Sequence, residues 1–292
     1  MEIRRLHSEC ISCMTKAHLE KCPKDMPEEI KIEYMQKILK VFAEAPAKYG
    51  SPVIVRTIHK IQEEMLGIKQ EYAEIKKRYN AVMMQYQDKV MDHMAKSEDP
   101  IKTGIQYAMI GNYIDFGAII NVTEEHLTEL LNTPERFVVD EKQYIELTAD
   151  LEKAKKLVYL TDNCGEIVMD KLLINQIKHK YPQLETIVVV RGAEVINDAT
   201  IEDAMQVGMC DIVKVISNGS DIAGTWLEEI SEEAKAVLDQ ADVIISKGQG
   251  NFETLYGCGL NVYYLFMCKC TMFANRFKKN LYEGMLLNDK NV

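Results

Sequence analysis

The chain has 292 residues, of which 47% are hydrophobic and 27% charged, with a formal net charge of −10 and an isoelectric point near 5.2. This length accommodates one large or two medium domains with a substantial core. The acidic balance argues against a nucleic-acid backbone or an anionic membrane as partner, but it is compatible with a small anionic substrate in a locally positive pocket.

The sequence lacks the segments that are typical of export or membrane insertion. No apolar run is long enough to span a bilayer, and residues 1–5 lack the hydrophobic core of a signal peptide. The eight cysteines are scattered, which favours reduced thiols over a disulfide framework. We therefore expect a cytoplasmic protein.

Helical periodicity dominates the chain up to about residue 135. Apolar side chains recur at steps of three and four from Tyr72 to Val90, which predicts one long helix. Residues 102–120 predict another helix, apolar enough to be buried. We assign residues 1–150 to a mainly helical domain.

The pattern changes after residue 155. Short β-branched or aromatic runs occupy residues 157–160, 187–190, 212–216, 243–245 and 262–266. Helix-like segments such as residues 166–179 separate the first four runs, and this alternation predicts a parallel sheet covered by helices on both faces. Residues 151–292 are therefore predicted to form a Rossmann-like three-layer α/β/α domain with a mainly parallel sheet. The fold class is α/β, with the helical N-terminal domain packed on this sheet domain.

Polar residues follow each of the first four predicted strands. Asp162-Asn163 follows the first strand, Arg191-Gly192 and Asn197-Asp198 follow the second, Ser217 follows the third, and the run from Lys247 to Asn251 follows the fourth. Each motif alone has an ordinary explanation, because Asp and Asn are common in turns and helix caps. The carboxyl ends of parallel strands share one edge of the sheet, however, so these side chains are expected to converge there on a ligand site.

The residue types at this edge favour phosphoryl chemistry. The carboxylates of Asp162 and Asp198, with the amide oxygen of Asn163, offer hard oxygen ligands suited to Mg²⁺ or Mn²⁺. Lys247, before a Gly-x-Gly turn, is expected to aim its ammonium group across the sheet edge toward a metal-bound phosphate. Ser217 and Asn251 are candidate phosphate or sugar contacts. Hydrolysis by metal-activated water follows from this set.

Other chemistries fit the sequence less well. A dinucleotide site calls for a glycine-rich turn after the first strand, and residues 162–165 (Asp-Asn-Cys-Gly) match it poorly. A phosphatase with an aspartyl-phosphate nucleophile usually has Asp-x-Asp at that position. Cys164 as nucleophile has no histidine within the strand-end motifs to act as its base.

The N-terminal cysteines offer two interpretations. Cys10, Cys13, His18 and Cys22 have nearly the spacing of a small zinc knuckle, but the last gap is one residue short and no glycine or aromatic residue supports the turn. We favour reduced structural thiols over a zinc site. The role of Cys10 and Cys13 stays open.

Several motifs together resemble one known family. They are Asp162-Asn163-x-Gly165-Glu166, Asn197-Asp198, Lys247-Gly248-x-Gly250-Asn251, Gly111-Asn112-x-x-Asp115 and Cys10-x-x-Cys13. This set is similar to the signature of the metal-dependent damage-control phosphatases, a former domain-of-unknown-function family that includes a member described as an acidic-residue methyltransferase. The cysteine pair resembles its prokaryotic branch.

The resemblance implies a fold, an activity and residue roles. The family has a helical N-terminal domain packed on a Rossmann-like domain. Asp162, Asn163 and Asp198 would hold the metal, while Asn112, Asp115 and Lys247 would face the substrate, a role in catalysis falling to Asp162, Asp198 and Lys247. Relatives often carry Asp-Pro ahead of a Tyr…Lys…Asn run, and this chain has Lys-Gln-Glu at residues 69–71 instead. The role of the segment that follows is therefore open.

The leading hypothesis is a divalent-metal-dependent phosphatase. Its substrates would be small phosphometabolites, such as sugar phosphates or phosphorylated cofactor fragments, and its metal Mg²⁺ or Mn²⁺, with Co²⁺ or Ni²⁺ as alternatives. Two other hypotheses are carboxyl methyl transfer from S-adenosylmethionine and non-catalytic binding of a phosphometabolite. The sequence does not identify the oligomeric state.

Overall fold

The computed structural model describes residues 5–67, 72–113 and 124–292. The chain divides into two compact units, Met1–Glu71 and Tyr72–Val292. None of the described helices is both long enough and apolar enough to cross a membrane.

Within residues 5–67, the first unit contains three helices, α1 (Ser8–Glu20), α2 (Glu28–Glu44) and α3 (Ser51–Leu66). Its core holds Tyr34, Ile38 and Phe42 of α2 against Ile54 and Ile58 of α3. These residues recur at intervals of four along each helix and so share one face. The helical period in the sequence therefore accounts directly for the packing of this unit.

The second unit begins with helices and continues as an alternating α/β structure. Its first helices are α4 (Ala73–Met84), α5 (Gln87–Lys96), α6 (Pro100–Tyr113), α7 (Glu124–Asn132) and α8 (Glu141–Lys153). The strands are β1 (Lys156–Leu160), β2 (Glu185–Val190), β3 (Lys214–Ser217), β4 (Val243–Lys247), β5 (Val262–Met267) and β6 (Gly284–Asn288). The helices among them are α9 (Glu166–Lys180), α10 (Ile201–Gln206), α11 (Glu232–Asp239), α12 (Gly248–Leu255) and α13 (Thr271–Phe277).

In the described part of the chain, the six strands form one sheet in the order β3-β2-β1-β4-β5-β6. The first five are parallel, and β6 runs antiparallel to β5. The strand order reverses between β1 and β4, and a crevice for ligands opens at such a point, outside the carboxyl ends of the strands. The predicted α/β fold with a mainly parallel sheet is confirmed. Strand β6 was not predicted.

Both faces of the sheet are covered. Along β5, Tyr263 and Leu265 belong to the large core that also contains α6 and α9. Their neighbours Tyr264 and Phe266 point to the opposite face, where both rings pack against Phe252 of α12. Successive side chains of a strand alternate between faces, so burial of both faces produces the continuous apolar runs seen in the sequence.

The helical segment after residue 72 differs from the prediction. One long helix was expected from Tyr72 to Val90, but α4 ends at Met84 and α5 begins at Gln87. Between them, the amide of Gln85 donates to the carbonyl of Val82, and the amide of Tyr86 donates to the carbonyl of Met83. Each bond spans three residues, as in a turn. The apolar spacing persists across this break, which explains why the sequence pattern concealed it.

Helices α4 to α8 belong to the same compact unit as the sheet. Helix α6 packs closely on α9 because two glycines allow the approach. A Cβ atom on Gly104 would lie 3.0 Å from Leu173 Cδ1, and one on Gly111 would lie 3.3 Å from Glu166 Cα. The predicted domain boundary near residue 150 stays a prediction.

Candidate active site

Backbone hydrogen bonds bring the predicted metal ligands together. After β1, the carbonyl of Asp162 accepts a bond of 2.7 Å from the amide of Ala199, and the amide of Cys164 donates to Asn197 at 2.7 Å. Asn163 and Asp198 thereby form an isolated antiparallel bridge. The turn after β1 and the loop after β2 are thus fastened to each other. Asp162, Asn163 and Asp198 are all buried at this junction.

Arg191, the first residue after β2, connects the two carboxylates. Its Nε donates to Asp198 Oδ2 at 2.6 Å, and its Nη2 lies 3.6 Å from Asp162 Oδ1. The side chain is only 2% exposed. Arg191 is one of the polar residues noted in the sequence at the end of the second strand, but no role was predicted for it. Its charge beside two carboxylates became apparent only in the structure.

Negative charge is crowded around Asp162. Burial raises the pKa of this carboxyl group well above its usual range, and the carboxylates of Glu166 and Asp198 raise it further, against the opposing effects of Lys269 and Arg191. A cation bound here would favour the ionised form of Asp162. The crowding of acidic groups at this position therefore fits a divalent ion.

The donor set also fits the chemistry of Mg²⁺ or Mn²⁺. Two carboxylates and one amide oxygen are hard ligands, and these ions keep several waters instead of filling an all-protein cage. Within residues 5–67, 72–113 and 124–292, no three His, Cys, Asp or Glu side chains are grouped so as to hold a metal. A metal ion bound here would need the amide of Asn163 and water as its remaining ligands.

A glycine after β4 leaves room for the carboxylate of Asp162. Gly248, the first residue of α12, has a φ of +79°, and a Cβ atom there would lie 1.9 Å from Asp162 Oδ2. Any side chain at this position would displace the carboxylate. The glycine after β4 thus provides space for Asp162, in addition to the left-handed backbone conformation that favours glycine.

Asn112 lies beneath the carboxylates. Its Nδ2 donates to Asp162 Oδ2 at 3.1 Å and to the two oxygens of Glu166 at 3.1 and 3.0 Å, while its Oδ1 accepts from the amide of Met267 at 3.0 Å. Asn163 Nδ2 adds bonds to Asp162 Oδ2 at 2.8 Å and to Glu166 Oε2 at 2.9 Å. Asn112 is fully buried and orients Asp162.

The predicted contact of Asn112 with substrate stays a prediction. Asp115, its predicted partner on the same helix face, lies outside the described residues. The sequence indicated Glu166 only as part of a motif, but its carboxylate accepts hydrogen bonds from the side chains of both Asn112 and Asn163. Glu166 therefore fixes the positions of these two side chains.

Lys247 points into the protein. Its ammonium group is fully buried and donates to Ala108 O at 3.0 Å, to Asp170 Oδ1 at 2.9 Å and to Glu166 Oε1. Burial lowers the pKa of Lys247, but attraction to Asp170 and Glu166 outweighs burial and raises it to about 12. All three N–H donors thus have protein acceptors, in contrast to the expected approach across the sheet edge. Direct contact with substrate stays a prediction.

Asn251 is also fully buried. Its Nδ2 donates to Lys247 O at 2.7 Å and to Thr161 O at 3.0 Å, and its Oδ1 accepts from the hydroxyl of Thr225 at 2.8 Å. These bonds fasten the start of α12 to the end of β1. The structure thus gives Asn251 a bracing position, and its predicted contact with phosphate or sugar stays a prediction.

Helix α4 braces both loops that carry the predicted metal ligands. Asn80 Oδ1 accepts a bond of 2.6 Å from the amide of Gly165, and its Nδ2 donates to Asp203 Oδ1 at 2.8 Å. Lys76 adds an ion pair to Asp203 Oδ2 at 2.6 Å. The segment whose role was open thus connects the turn after β1 with α10.

A cavity of about 330 Å³ opens beside these residues, lined in part by Arg191, Thr200, Ser217, Glu194 and Glu202. It lies where the loops after β2 and β3 approach each other, since a Cβ atom on Gly192 would come within 2.3 Å of the backbone of Gly219. Ser217 Oγ accepts from the amide of Gly219 at 3.0 Å. Among the predicted substrate contacts that the structure describes, Ser217 is the one in the wall of this cavity.

The N-terminal cysteines lie in the first unit as reduced thiols. Cys13 is exposed, Cys10 is half-buried, and Cys22 Sγ donates to His18 O at 3.5 Å. His18 is buried, with Nδ1 at 2.9 Å from the hydroxyl of Tyr34. Burial lowers the pKa of His18 to about 4, assisted by Lys21 and His59.

Comparison with solved structures supports the fold. A crystal structure of a DUF89 family protein from Pyrococcus horikoshii superposes with a TM-score of 0.76 at 28% identity, covering 97% of this chain and 99% of that one.

Three curated relatives also match. A damage-control phosphatase of Archaeoglobus fulgidus is 32% identical over 263 residues, 87% of this chain and 88% of the relative. A damage-control phosphatase of Pyrococcus horikoshii is 36% identical over 177 residues, 60% of each chain. An uncharacterised protein of Methanocaldococcus jannaschii is 38% identical over 184 residues, 61% of this chain and 59% of that protein. The chain thus spans 60% and 59% of the length of these last two relatives.

The family assignment rests on most of the sequence. Residues 6–285 match the damage-control phosphatase ARMT1-like domain. This range includes the strand-end motifs, α6 and the N-terminal cysteines. The chain belongs to the damage-control phosphatase ARMT1-like family.

Proposed function

We propose that this protein is a divalent-metal-dependent phosphatase that hydrolyses small phosphometabolites. The observation that carries the proposal is the convergence of Asp162, Asn163 and Asp198 beside a cavity lined by Arg191. Family membership supports the same reaction class.

Asp162, Asn163 and Asp198 would hold Mg²⁺ or Mn²⁺, with Co²⁺ or Ni²⁺ as alternatives. When bound, the ion would supply positive charge that polarises the phosphoryl group and activates water for attack. Without a cation, the two carboxylates would repel the phosphate of a substrate. The need for the ion thus follows from the charge of the site as well as from its ligand chemistry.

The remaining residues would fix the geometry of the reaction. Asn112 and Asn163 donate to one oxygen of Asp162, and Arg191 holds one oxygen of Asp198. Preoriented groups of this kind do not have to reorganise as charge develops in the transition state. The chain thereby keeps both carboxylates in place before substrate arrives.

The cavity suits a small phosphomonoester with hydroxyl groups. Its volume of about 330 Å³ lies at the small end of the usual range for ligand sites. The hydroxyls of Thr200 and Ser217 and the carboxylates of Glu194 and Glu202 can bind substrate hydroxyls. Sugar phosphates and phosphorylated cofactor fragments have this character.

A phosphate-release screen tests the proposal. Purified protein is assayed with p-nitrophenyl phosphate, sugar phosphates and phosphorylated cofactor fragments, each with Mg²⁺, Mn²⁺, Co²⁺ or Ni²⁺. We expect metal-dependent turnover that falls by at least about 100-fold in Asp162→Asn, since a charged metal ligand is lost. Asp92→Asn, at an exposed ion pair with Lys96, is the matched control and should retain activity.

Three results would contradict the proposal. Full metal-dependent turnover in Asp162→Asn would show that the metal site is wrong. Binding of a phosphometabolite without phosphate release under any metal would indicate a binding protein. Tight, metal-independent binding of S-adenosylmethionine in calorimetry would instead favour methyl transfer.

A further inference from the structure

Arg191 has a donor that the protein leaves without an acceptor. Among the described residues, Nη2 has no hydrogen-bond partner although it is buried. Asp162 Oδ1 lies 3.6 Å away, too far for a hydrogen bond. Buried guanidinium donors are costly to leave unpaired, so a donor in this state calls for a ligand.

The residue that carries the unpaired donor is part of a cavity wall. Arg191 lines the cavity of about 330 Å³ together with Ser217 and Thr200, and it is the one basic residue among the described residues lining it. Its other contact, the 2.6 Å bond from Nε to Asp198, fixes the plane of the guanidinium group. The orientation of Nη2 is therefore set before any ligand binds.

Two other buried cations, Lys247 and Lys76, already have partners. The ammonium of Lys247 has three acceptors, and that of Lys76 binds Asp203 and Thr200. An anion entering beside Asp162 and Asp198 thus finds Arg191 as the preoriented donor. Its planar fork suits an oxyanion while keeping a separate bond to a carboxylate.

We propose that Arg191 is the phosphate-binding residue of the site, with Nη2 donating to a phosphoryl oxygen while Nε holds Asp198. This inference rests on the proposed function and assigns to Arg191 the contact that the sequence suggested for Lys247. It also orients the substrate: the phosphate lies toward Arg191 and the hydroxyl-bearing part toward Glu194 and Glu202.

Arg191→Lys separates the two contacts, because lysine keeps a positive charge near Asp198 but lacks the second arm of the fork. Calorimetry with inorganic phosphate at saturating Mn²⁺ should show affinity weaker by about 10- to 100-fold, the range for a lost charge-assisted hydrogen bond. Calorimetry with Mn²⁺ alone should change by less than about threefold, within the tolerance expected when the charge is kept. KM for a phosphomonoester should rise with the weakened phosphate affinity.

Arg136→Lys is the matched control, since Arg136 pairs with Glu129 at an exposed site. It should bind phosphate and Mn²⁺ as the wild type does. Unchanged phosphate affinity in Arg191→Lys would overturn the inference. An equal loss of Mn²⁺ and phosphate affinity would also overturn it, because Arg191 would then act only through Asp198.

A structure of the wild-type protein with Mn²⁺ and tungstate provides a test that requires no variant to fold. We expect an oxyanion oxygen at about 2.7–3.2 Å from Nη2. Tungstate bound away from Arg191 would refute the assignment. If the wild type binds phosphate through Arg191 but hydrolyses no ester, the proposed function fails and the Arg191 assignment stands.

Discussion

Lys247 and Arg191 are two buried cations, each facing two carboxylates at the same edge of the sheet, but they differ in how their donors are used. Lys247 donates to Glu166, Asp170 and a backbone carbonyl, and it is fully buried. Arg191 makes one short bond to Asp198, its buried Nη2 has no hydrogen-bond partner among the described residues, and the residue lines a cavity.

We infer from this difference that Lys247 has mainly a structural role and that Arg191 binds ligand. All three donors of Lys247 bond to protein acceptors, so we expect its loss to affect mainly folding. A cation with a donor left over at a cavity can gain a bond when an anion arrives. Variants around each cluster can break or sharpen this distinction.

Lys247→Met should have the largest effect. It leaves Glu166 and Asp170 buried without their cation, and breaking a buried ion pair in this way costs about 3–5 kcal/mol. Chemical denaturation measures the free energy of unfolding. Lys96→Met, at an exposed pair with Asp92, is the control and should cost less than about 1 kcal/mol. If Lys247→Met were as stable as the wild type, Lys247 would have no structural role.

A triple variant separates the effect of the buried charges from the effect of packing. Adding Glu166→Gln and Asp170→Asn to Lys247→Met removes the uncompensated carboxylates and should recover much of the lost stability, because buried ions can be replaced by neutral groups at little cost. No recovery would show that packing, and not charge, explains the effect of Lys247→Met.

Gly248→Ala tests whether packing sets the position of Asp162. The new methyl group would lie 1.9 Å from Asp162 Oδ2, so we expect Mn²⁺ affinity to fall by about 10- to 100-fold, as when a metal ligand loses its support. Gly259→Ala is a matched control: its φ of +82° imposes similar backbone strain, but nothing lies within 4 Å of the new atom. Calorimetry should show normal Mn²⁺ binding in the control. Equal losses in the two variants would attribute the effect to strain.

Asn80→Ala tests the brace from α4. The amide of Gly165 and the carboxylate of Asp203 each lose a partner, and an unsatisfied buried group costs about 1–3 kcal/mol. Denaturation should show this loss, together with weaker Mn²⁺ binding. Unchanged Mn²⁺ affinity would limit Asn80 to a role in stability.

Asp162→Asn should have the smallest effect on stability and the opposite sign. Burial, Glu166 and Asp198 raise the pKa of Asp162, so its charge is unfavourable in the metal-free folded state. Removing that charge should stabilise the metal-free protein by roughly 0.5–2 kcal/mol at pH 7, the range of single stabilising substitutions.

The same variant should lose its response to metal. At a free Mn²⁺ concentration 100 times the dissociation constant, the wild type should gain about 2.7 kcal/mol of stability, and Asp162→Asn should gain almost none. Thermal denaturation with and without Mn²⁺ measures both effects. A destabilised metal-free variant would contradict this account of the charge.

The sequence predicted the sheet and the metal-ligand set for related reasons. Five of the six strands were visible because strands buried on both faces are continuous apolar runs. Asp162, Asn163 and Asp198 could be placed together because parallel strands end at a common edge, whatever their order. The antiparallel strand β6 and the break between α4 and α5 were not predicted, because neither of them interrupts the pattern of apolar residues in the sequence.

The sequence by itself determined which residues lie at the sheet edge, but only the tertiary structure decided which way they point. Lys247 could face a phosphate or the core, and the outcome depended on Glu166 and Asp170, which lie 81 and 77 residues away in the chain. Arg191 has an unpaired donor for a comparable reason, because the fold brings Asp198 within 2.6 Å of its Nε but leaves Asp162 3.6 Å from its Nη2. Strand ends are set by local sequence, whereas the pairing of a buried charge is set by distant residues that only folding brings into contact.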